Sequence, residues 1–393
     1  MKAGWSIKSL GDICSVIGGG TPSKDVDKYY SGTIPWATVR DMRSDLISDT
    51  ECKITIDAVK NSSTNIIPGG NVVIATRVGL GKVCLLGQDT AINQDLRGII
   101  PNNAEQLSVG FLFLWLKSIA DLIVAEGTGA TVQGVKLPFI KSLQIPLPPL
   151  PEQHRIVAIL DEAFDAIATA KANTEQNLRN ARALFESYLE GVLRNKKWEW
   201  KTLGELCEGV EYGSSAKSKA EGGVPVLRMG NIQDGRLDWS NLVYTNDEDE
   251  IHRYLLKHDD VLFNRTNSPE LVGKTAVYKS EMPAIFAGYL IRIHRKEHLL
   301  NADYLNYFLN SQIAFDYGKT VVISSVNQAN INGTKLKSYP IPAPSLVEQE
   351  AIVVELNDLS EETQRLESLY QQKLTALDEL KKSLLNQAFS GQL

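Results

Sequence analysis

Sixteen residues of this chain recur at a constant offset of 196 positions. Ile145–Leu160 (IPLPPLPEQHRIVAIL) and Ile341–Leu356 (IPAPSLVEQEAIVVEL) share nine identities, among them Pro146/Pro342, Pro148/Pro344, Glu152/Glu348 and Gln153/Gln349. A second pair precedes them: WSIKSLGDIC from Trp5 to Cys14 answers to WEWKTLGELC from Trp198 to Cys207 at an offset of 193. Solenoid units run to ~50 residues at most, so a period this long means two homologous domains in tandem. Whatever the first block builds, the second builds again.

A chain of 393 residues, 43% hydrophobic, accommodates two packed domains and their connections. Its four cysteines form no CxxC pair, which argues against a disulfide framework or a zinc knuckle. Cys14 and Cys207, at matching repeat positions, are expected as small buried hydrophobes. There is no charged-then-apolar leader pattern and no apolar run near membrane length, so a soluble cytoplasmic protein is expected. The net charge of −6 is unevenly spread: +1 over residues 1–150, −2 over 151–195, 0 over 196–340 and −5 over 341–393. Near-neutral blocks predict weak intrinsic affinity for a phosphate backbone, which Lys and Arg must neutralise. A basic partner would have to supply the rest.

From Pro151 neither proline nor glycine interrupts the chain before Gly191. A proline and a glutamate at the start suit a helix N-terminus, where the missing amide costs nothing and the carboxylate meets the positive end of the dipole. Ile156, Leu160, Ala163, Ile167, Ala170, Thr174, Asn177, Ala181, Leu184 and Tyr188 alternate spacings of four and three, a heptad seam. Adding 196 gives Ile352, Leu356, Leu359, Thr363, Leu366, Tyr370, Lys373, Leu377, Leu380 and Leu384 in the same register. Two helices of about 40 residues, roughly 60 Å long, are expected. One seam is alanine-rich and the other leucine-rich, which favours an antiparallel pair. Residue numbers summing to 540 would set Ala163 against Leu377, Ala170 against Tyr370 and Ala181 against Leu359, with polar layers Asn177–Thr363 and Ile167–Lys373. Such a pair is an antiparallel coiled coil with pseudo-two-fold symmetry, carrying one head at each end.

The heads mix short β-like runs with Gly, Pro and Asn punctuation: Asn71–Ala75, Val83–Leu86 and Gly98–Ile100, then Asp260–Asn264, Ala276–Tyr278 and Leu290–Ile293. Each ends in a helix, near Gly110–Ile119 and Ala302–Gln312, so the class is α+β, two homologous mixed α/β domains joined by two long helices. The copies diverge most over Thr38–Ala58 against Arg228–Ile251, and Ala125–Val135 against Lys319–Ile331. A common frame with divergent loops suits one fold reading two ligands. These loops carry side chains that match base edges: Arg40, Arg43, Arg77, Gln94, Arg97, Thr131 and Gln133 in the first head. The second has Arg228, Asn231, Gln233, Arg236, Arg265, Asn267, Asn327, Gln328 and Asn330. Arginine can fork to guanine, and Asn or Gln can bond adenine twice. Val72–Arg77 resembles Val261–Thr266, and within that match Arg77 and Arg265, with Lys82 and Lys274 close behind in both copies, stand out as DNA-binding candidates.

Catalytic motifs do not assemble. Ser268–Thr275 (SPELVGKT) starts with Ser where a P-loop needs Gly, and its counterpart Gly81-Lys82-Val83 lacks the hydroxyl. Gly18-Gly19-Gly20 has no Rossmann context. His294 and His298 stand four apart on a strand-like run without the HExxH glutamate. No methyltransferase NPPY or DPPY motif and no clustered-acid nuclease site is present. The chain reads as non-catalytic and metal-free.

The ordered, doubled set of motifs resembles the specificity (S) subunit of type I restriction-modification systems over essentially the whole chain. It rests on the proline segments at Pro146–Gln153 and Pro342–Gln349, the Trp5 and Trp198 starts, and the terminal LNQAFSG at Leu385–Gly391. The resemblance implies target recognition domains at 1–150 and 196–345, and spacer helices at 151–195 and 346–393. Each head would read one half of a bipartite double-stranded DNA target. Two adenine methyltransferase subunits would dock, with Pro148, Glu152, Gln153, Pro344, Glu348 and Gln349 as partner-binding residues, and motor-nuclease subunits would join through the complex. The chain itself would hold no cofactor; S-adenosylmethionine and ATP would belong to partner subunits. A non-catalytic coiled-coil adaptor, or a detached recognition module of a single-chain restriction-methylation enzyme, would share much of this pattern.

Overall fold

The structure is a computed structural model that describes residues 4–127, 134–325 and 328–393. The chain forms two compact units, Met1–Thr174 with Gln372–Leu393, and Glu175–Gln371. The division runs through both long helices, because the core of each head takes in residues from both of them.

In the first unit the two repeat motifs meet. Ser6–Ser9 pairs antiparallel with Gln144–Leu147, Lys8 opposite Ile145, so the chain's start is zipped to the segment that enters the long helix. Strands β1 (Cys14–Gly18), β2 (Leu46–Ile47), β3 (Val72–Ala75), β4 (Val83–Leu86) and β5 (Leu96–Pro101) form a sheet in the order β1-β5-β3-β4-β2. All neighbours are antiparallel except β2 and β4. Strand β3 is buried on both faces, which explains its unbroken apolar run. Val72 and Ile74 join Phe111 and Trp115 of helix α1 (Val109–Ser118) in the main core. Val73 and Ala75 face a second cluster with Ala37, Met42 and Ile67. Ser108 caps α1 by accepting from Phe111 N at 3.1 Å. The long helix α2 (Leu150–Leu193) follows and continues through Gly191.

The second unit repeats this plan. Trp200–Thr202 pairs with Pro340–Pro342, Lys201 opposite Ile341. Strands β6 (Cys207–Tyr212), β7 (Val261–Asn264), β8 (Thr275–Val277) and β9 (Leu290–Arg295) are ordered β6-β9-β7-β8. Helix α3 (Ala302–Leu309) contributes Tyr304, Leu305 and Phe308 to the core, and the second long helix α4 (Leu346–Ser390) closes the chain. The same backbone crossing recurs in both heads. A Cβ on Gly19 would meet Ile92 O at 2.2 Å, and one on Gly213 would meet Phe286 O at 2.3 Å. The strands and head helices thus lie within a few residues of where the sequence pattern sets them.

The long helices span 44 and 45 residues. Within each unit they run antiparallel. In the first, Arg155 Nη2 donates to Leu393 O at 2.9 Å and Lys171 pairs with Asp378 at 2.7 Å. In the second, Arg182 forks onto Glu367 at 3.0 Å and Tyr188 Oη donates to Glu355 at 2.6 Å. These pairs correct the expected register. Asp378 stands beside Lys171 where a sum of 540 would place residue 369, so the pairing there is displaced by nine residues.

The buried stripe also drifts. Leu160, Ile167, Thr174 and Ala181 keep the seven-residue step, but Leu184 and Tyr188 are exposed and Leu189 and Leu193 are buried instead. On α4, Lys373 and Leu380 are exposed, whereas Leu374 and Lys381 are half-buried and Leu385 and Ala388 buried. A straight helix turns its heptad seam by ~20° per seven residues. Over several heptads that moves burial on by about one position.

Candidate nucleic-acid interface

In the first head β3 runs into a turn closed by Ala75 N donating to Lys82 O at 3.0 Å. Thr76 is buried, its N and Oγ1 both bonded to Asp95 O. Arg77, next along, is exposed and 3.6 Å from the Asp95 carboxylate. Arg97 is half-buried and donates from Nη1 to Gln94 O at 3.0 Å and Leu96 O at 2.7 Å. Burial, then the charge of Arg77, pull the Arg97 pKa down against the opposing pull of Asp95. Gln94 is exposed and accepts from the Thr21 hydroxyl. Arg77, Gln94 and Arg97 therefore share one rim at the ends of β3 and β5. Val135 N donates to Thr76 O at 2.9 Å and brings the end of the divergent segment alongside. Thr131 and Gln133 of that loop lie outside the described residues.

Lys82, Arg40 and Arg43 form a second group. Lys82 Nζ reaches Met42 O at 3.3 Å, and Arg43 pairs with Glu51 while its Nε donates to Arg40 O at 3.0 Å. Thr38 and Asp41 close the turn beneath Arg40, Thr38 N donating to Asp41 Oδ2 at 2.7 Å.

In the second head Asn264 N donates to Lys274 O at 2.8 Å, so Lys82 and Lys274 do correspond. The arginines do not. Arg265 N donates to Tyr289 O and Ile331 N donates to Arg265 O, which are the contacts of Thr76. Arg265 matches Thr76, and Arg77 matches Thr266. Successive side chains of an extended strand point to opposite faces, so this one-residue difference gives the two heads different rims. The Arg265 guanidinium lies over the Tyr212 ring, 4.9 Å from its centroid, with Nη1 3.3 Å from Gly288 O and Nη2 3.5 Å from Asn330 Oδ1. Asn330 Nδ2 donates to Thr266 Oγ1 at 2.7 Å. Asn267 Oδ1 accepts from Ser268 N at 2.8 Å. The Gln328 backbone pairs with Ser325, and Asn327 lies outside the described residues. Lys274 lines a cavity of about 810 Å³ with Arg236, Trp239, Asn306 and Phe315.

Two expectations need correction. Asn231 is buried, its Oδ1 accepting from Arg228 N and its Nδ2 donating to Asp238 O and Ser240 O. It holds the turn that Asp41 holds in the first head and has no group left for a base. Arg228 is exposed, tethered to Asn241 O at 2.8 Å, and Gln233 Nε2 donates to Gly230 O at 3.0 Å. Likewise Pro148, Gln153, Pro344 and Gln349 are buried, so they face their own heads rather than a partner. Glu152, beside Arg155, and the exposed Glu348 remain at the surface. Hydrogen bonds from the Ser345 hydroxyl and amide hold the Glu348 carboxyl below the usual carboxylate range.

Tyr212 escapes sequence reasoning because Arg265 lies far along the chain. Its one signal is an aromatic where the other copy, at Gly18, has glycine. Among the described residues no group of His, Cys, Asp and Glu could hold a metal ion, and no helix is long and apolar enough to cross a membrane.

A family model described as type I restriction modification DNA specificity domain matches the chain twice, over residues 2–179 and 195–376. Among curated relatives, the MjaIX specificity subunit of Methanocaldococcus jannaschii is 29% identical over 59% of this chain and 59% of its own length. The EcoR124I/EcoR124II specificity subunit of Escherichia coli is 36% identical over 42% of this chain and 41% of its own. The MjaVIII specificity subunit of M. jannaschii is 23% identical over 99% of this chain and 93% of its own. Two solved structures share the fold at 21% identity. One is a chain from a study of complex assembly and conformational transition of the type I R-M system, with TM-score 0.81 and coverage of 100% and 99%. The other is the HsdS subunit from Thermoanaerobacter tengcongensis, with TM-score 0.64 and coverage of 100% and 98%. With both heads matched in full order, the chain belongs to the type I restriction-modification DNA specificity family and carries its domain in two tandem copies.

Proposed function

We propose that this chain is the DNA-reading subunit of a type I restriction-modification complex, each head reading one half of a bipartite target. The observation that carries this reading is the shared frame with unlike rims. Equivalent strands β3 and β7 are followed by Thr76-Arg77 in one head and Arg265-Thr266 in the other, each bonded to the end of its own divergent segment through Val135 or Ile331. Arg77, Gln94 and Arg97 would serve one half-site, and Arg265 with its neighbours the other. Phosphate contacts would position the complex while these side chains specify sequence.

The chain supplies no chemistry of its own in this reading. Two adenine methyltransferase subunits bring S-adenosylmethionine and most of the positive charge that the near-neutral heads lack, and ATP belongs to the motor-nuclease subunits. The surfaces around Glu152 and Glu348, equivalent in the two copies, offer the methyltransferases related docking sites. The long helices set the unread spacer, and the assembly works in the cytoplasm, on the cell's own DNA.

Mapping methylated adenines genome-wide with and without the gene tests this. Loss of one split motif is the expected result, and an unchanged methylome overturns the proposal. Arg77→Ala should relax one half of that motif and Arg265→Ala the other.

A further inference from the structure

We propose that Arg265 reads a guanine through its N7 and O6 atoms, and that Tyr212 is the residue that positions it; this rests on the DNA-reading function above. The backbone of Arg265 is fixed on both sides, by Tyr289 O and Ile331 N. Its guanidinium lies over the Tyr212 ring, and that ring is itself anchored because the Tyr212 hydroxyl accepts from Gly333 N at 2.8 Å. The acceptors facing the guanidinium are weak by comparison. Its Nη1 and Nη2 contacts at 3.3 and 3.5 Å exceed the usual ~2.9 Å, whereas Nε, which also lacks a partner among the described residues, is buried. The ring face sets where the cation sits, and the two Nη groups are left under-used.

A guanine edge supplies two acceptors at the spacing of a guanidinium fork, whereas adenine opposes one of the donors with its own amino group. The surroundings favour a base over a phosphate. Tyr212, under the guanidinium, and Tyr289, whose carbonyl accepts from the Arg265 amide, are 42% and 50% exposed, and flat apolar rings suit a base better than a hydrated anion. The device belongs to one head alone. In the other, Gly18 stands where Tyr212 stands and the buried Thr76 where Arg265 stands.

The test uses the full chain assembled with its cognate methyltransferase and duplexes carrying the mapped target. Each guanine of the half-site read by residues 196–345 is replaced in turn by 7-deazaguanine, which lacks the N7 acceptor. The wild-type complex should lose about tenfold or more in affinity at one position. Arg265→Ala should bind weakly and ignore that replacement. Tyr212→Leu should also become indifferent to it, while Tyr212→Phe, which keeps the ring but loses its hydroxyl anchor, should retain most of the discrimination. A half-site without guanine, a 7-deazaguanine penalty that survives Arg265→Ala, or equal weakening of Arg265→Ala on unrelated DNA would overturn the proposal. A wild-type complex with no sequence preference would instead sink the DNA-reading function itself.

Discussion

Gln153 and Gln349 are fully buried and make the same three hydrogen bonds. Gln153 Oε1 accepts from Ser108 N, and its Nε2 donates to Gln106 O and Pro148 O, at 2.8–2.9 Å. Gln349 Oε1 accepts from Asn301 N, and its Nε2 donates to Leu299 O and Pro344 O, at 2.8–3.0 Å. Each carboxamide thus ties the first turn of a long helix to the loop before its head's own helix. Gln153→Ala or Gln349→Ala leaves buried backbone groups unpaired. A loss of about 2–4 kcal/mol is expected for either, read from urea unfolding. A loss below about 0.5 kcal/mol would show that water replaces the side chain.

The helix register makes its own prediction. Lys171 and Asp378 are partly exposed, so breaking their pair costs at most about 1 kcal/mol. Asp378→Lys should lower thermal stability slightly at low salt, and adding Lys171→Asp should restore it. The same cycle between Lys171 and residue 369 should show no coupling.

Lys82 and Lys274 occupy equivalent turns, and we expect them to contact phosphate. Lys82→Ala and Lys274→Ala should weaken binding to every duplex alike and reduce the slope of log K against log salt by about 0.9. The methylated motif should not change. A base-specific loss would move these lysines among the readers.

Burial pushes the Cys14 thiol from 9.0 up to about 12 and, with some help from Asp45, the Cys84 thiol up to about 11, while Cys52 is exposed. At pH 8 a disulfide reagent should modify Cys52 quickly and the other three cysteines only in denaturant. Because the folded chain holds the Cys14 proton more tightly than the unfolded chain, the thiol's stabilising contribution is complete below about pH 9 and falls as pH rises towards 12. Cys14→Ala should flatten that alkaline loss in a pH series of unfolding curves.

The duplication, the positions of most head strands and both long helices are legible in the sequence. Identity, period-two runs and the long absence of proline and glycine are properties of neighbouring residues. The segments Ile145–Leu160 and Ile341–Leu356 mark the helix entries without any structure. Candidate readers were legible only as residue types: of the polar loop side chains, Asn231 turned inward to close its own turn, and nothing local distinguishes it from Gln233 nearby. The prolines and glutamines of the repeat suggested a partner surface, yet Gln153 and Gln349 face loops some 45 to 50 residues upstream, a relation no local pattern encodes.

What the sequence determined by itself was a two-headed α+β chain with paired long helices, because repetition and periodicity survive without contacts. Only the tertiary structure decided the helix register, the burial of the two glutamines and the ring beneath Arg265. Each depends on groups distant in sequence, and on an extended strand a shift of one residue turns a side chain to the opposite face.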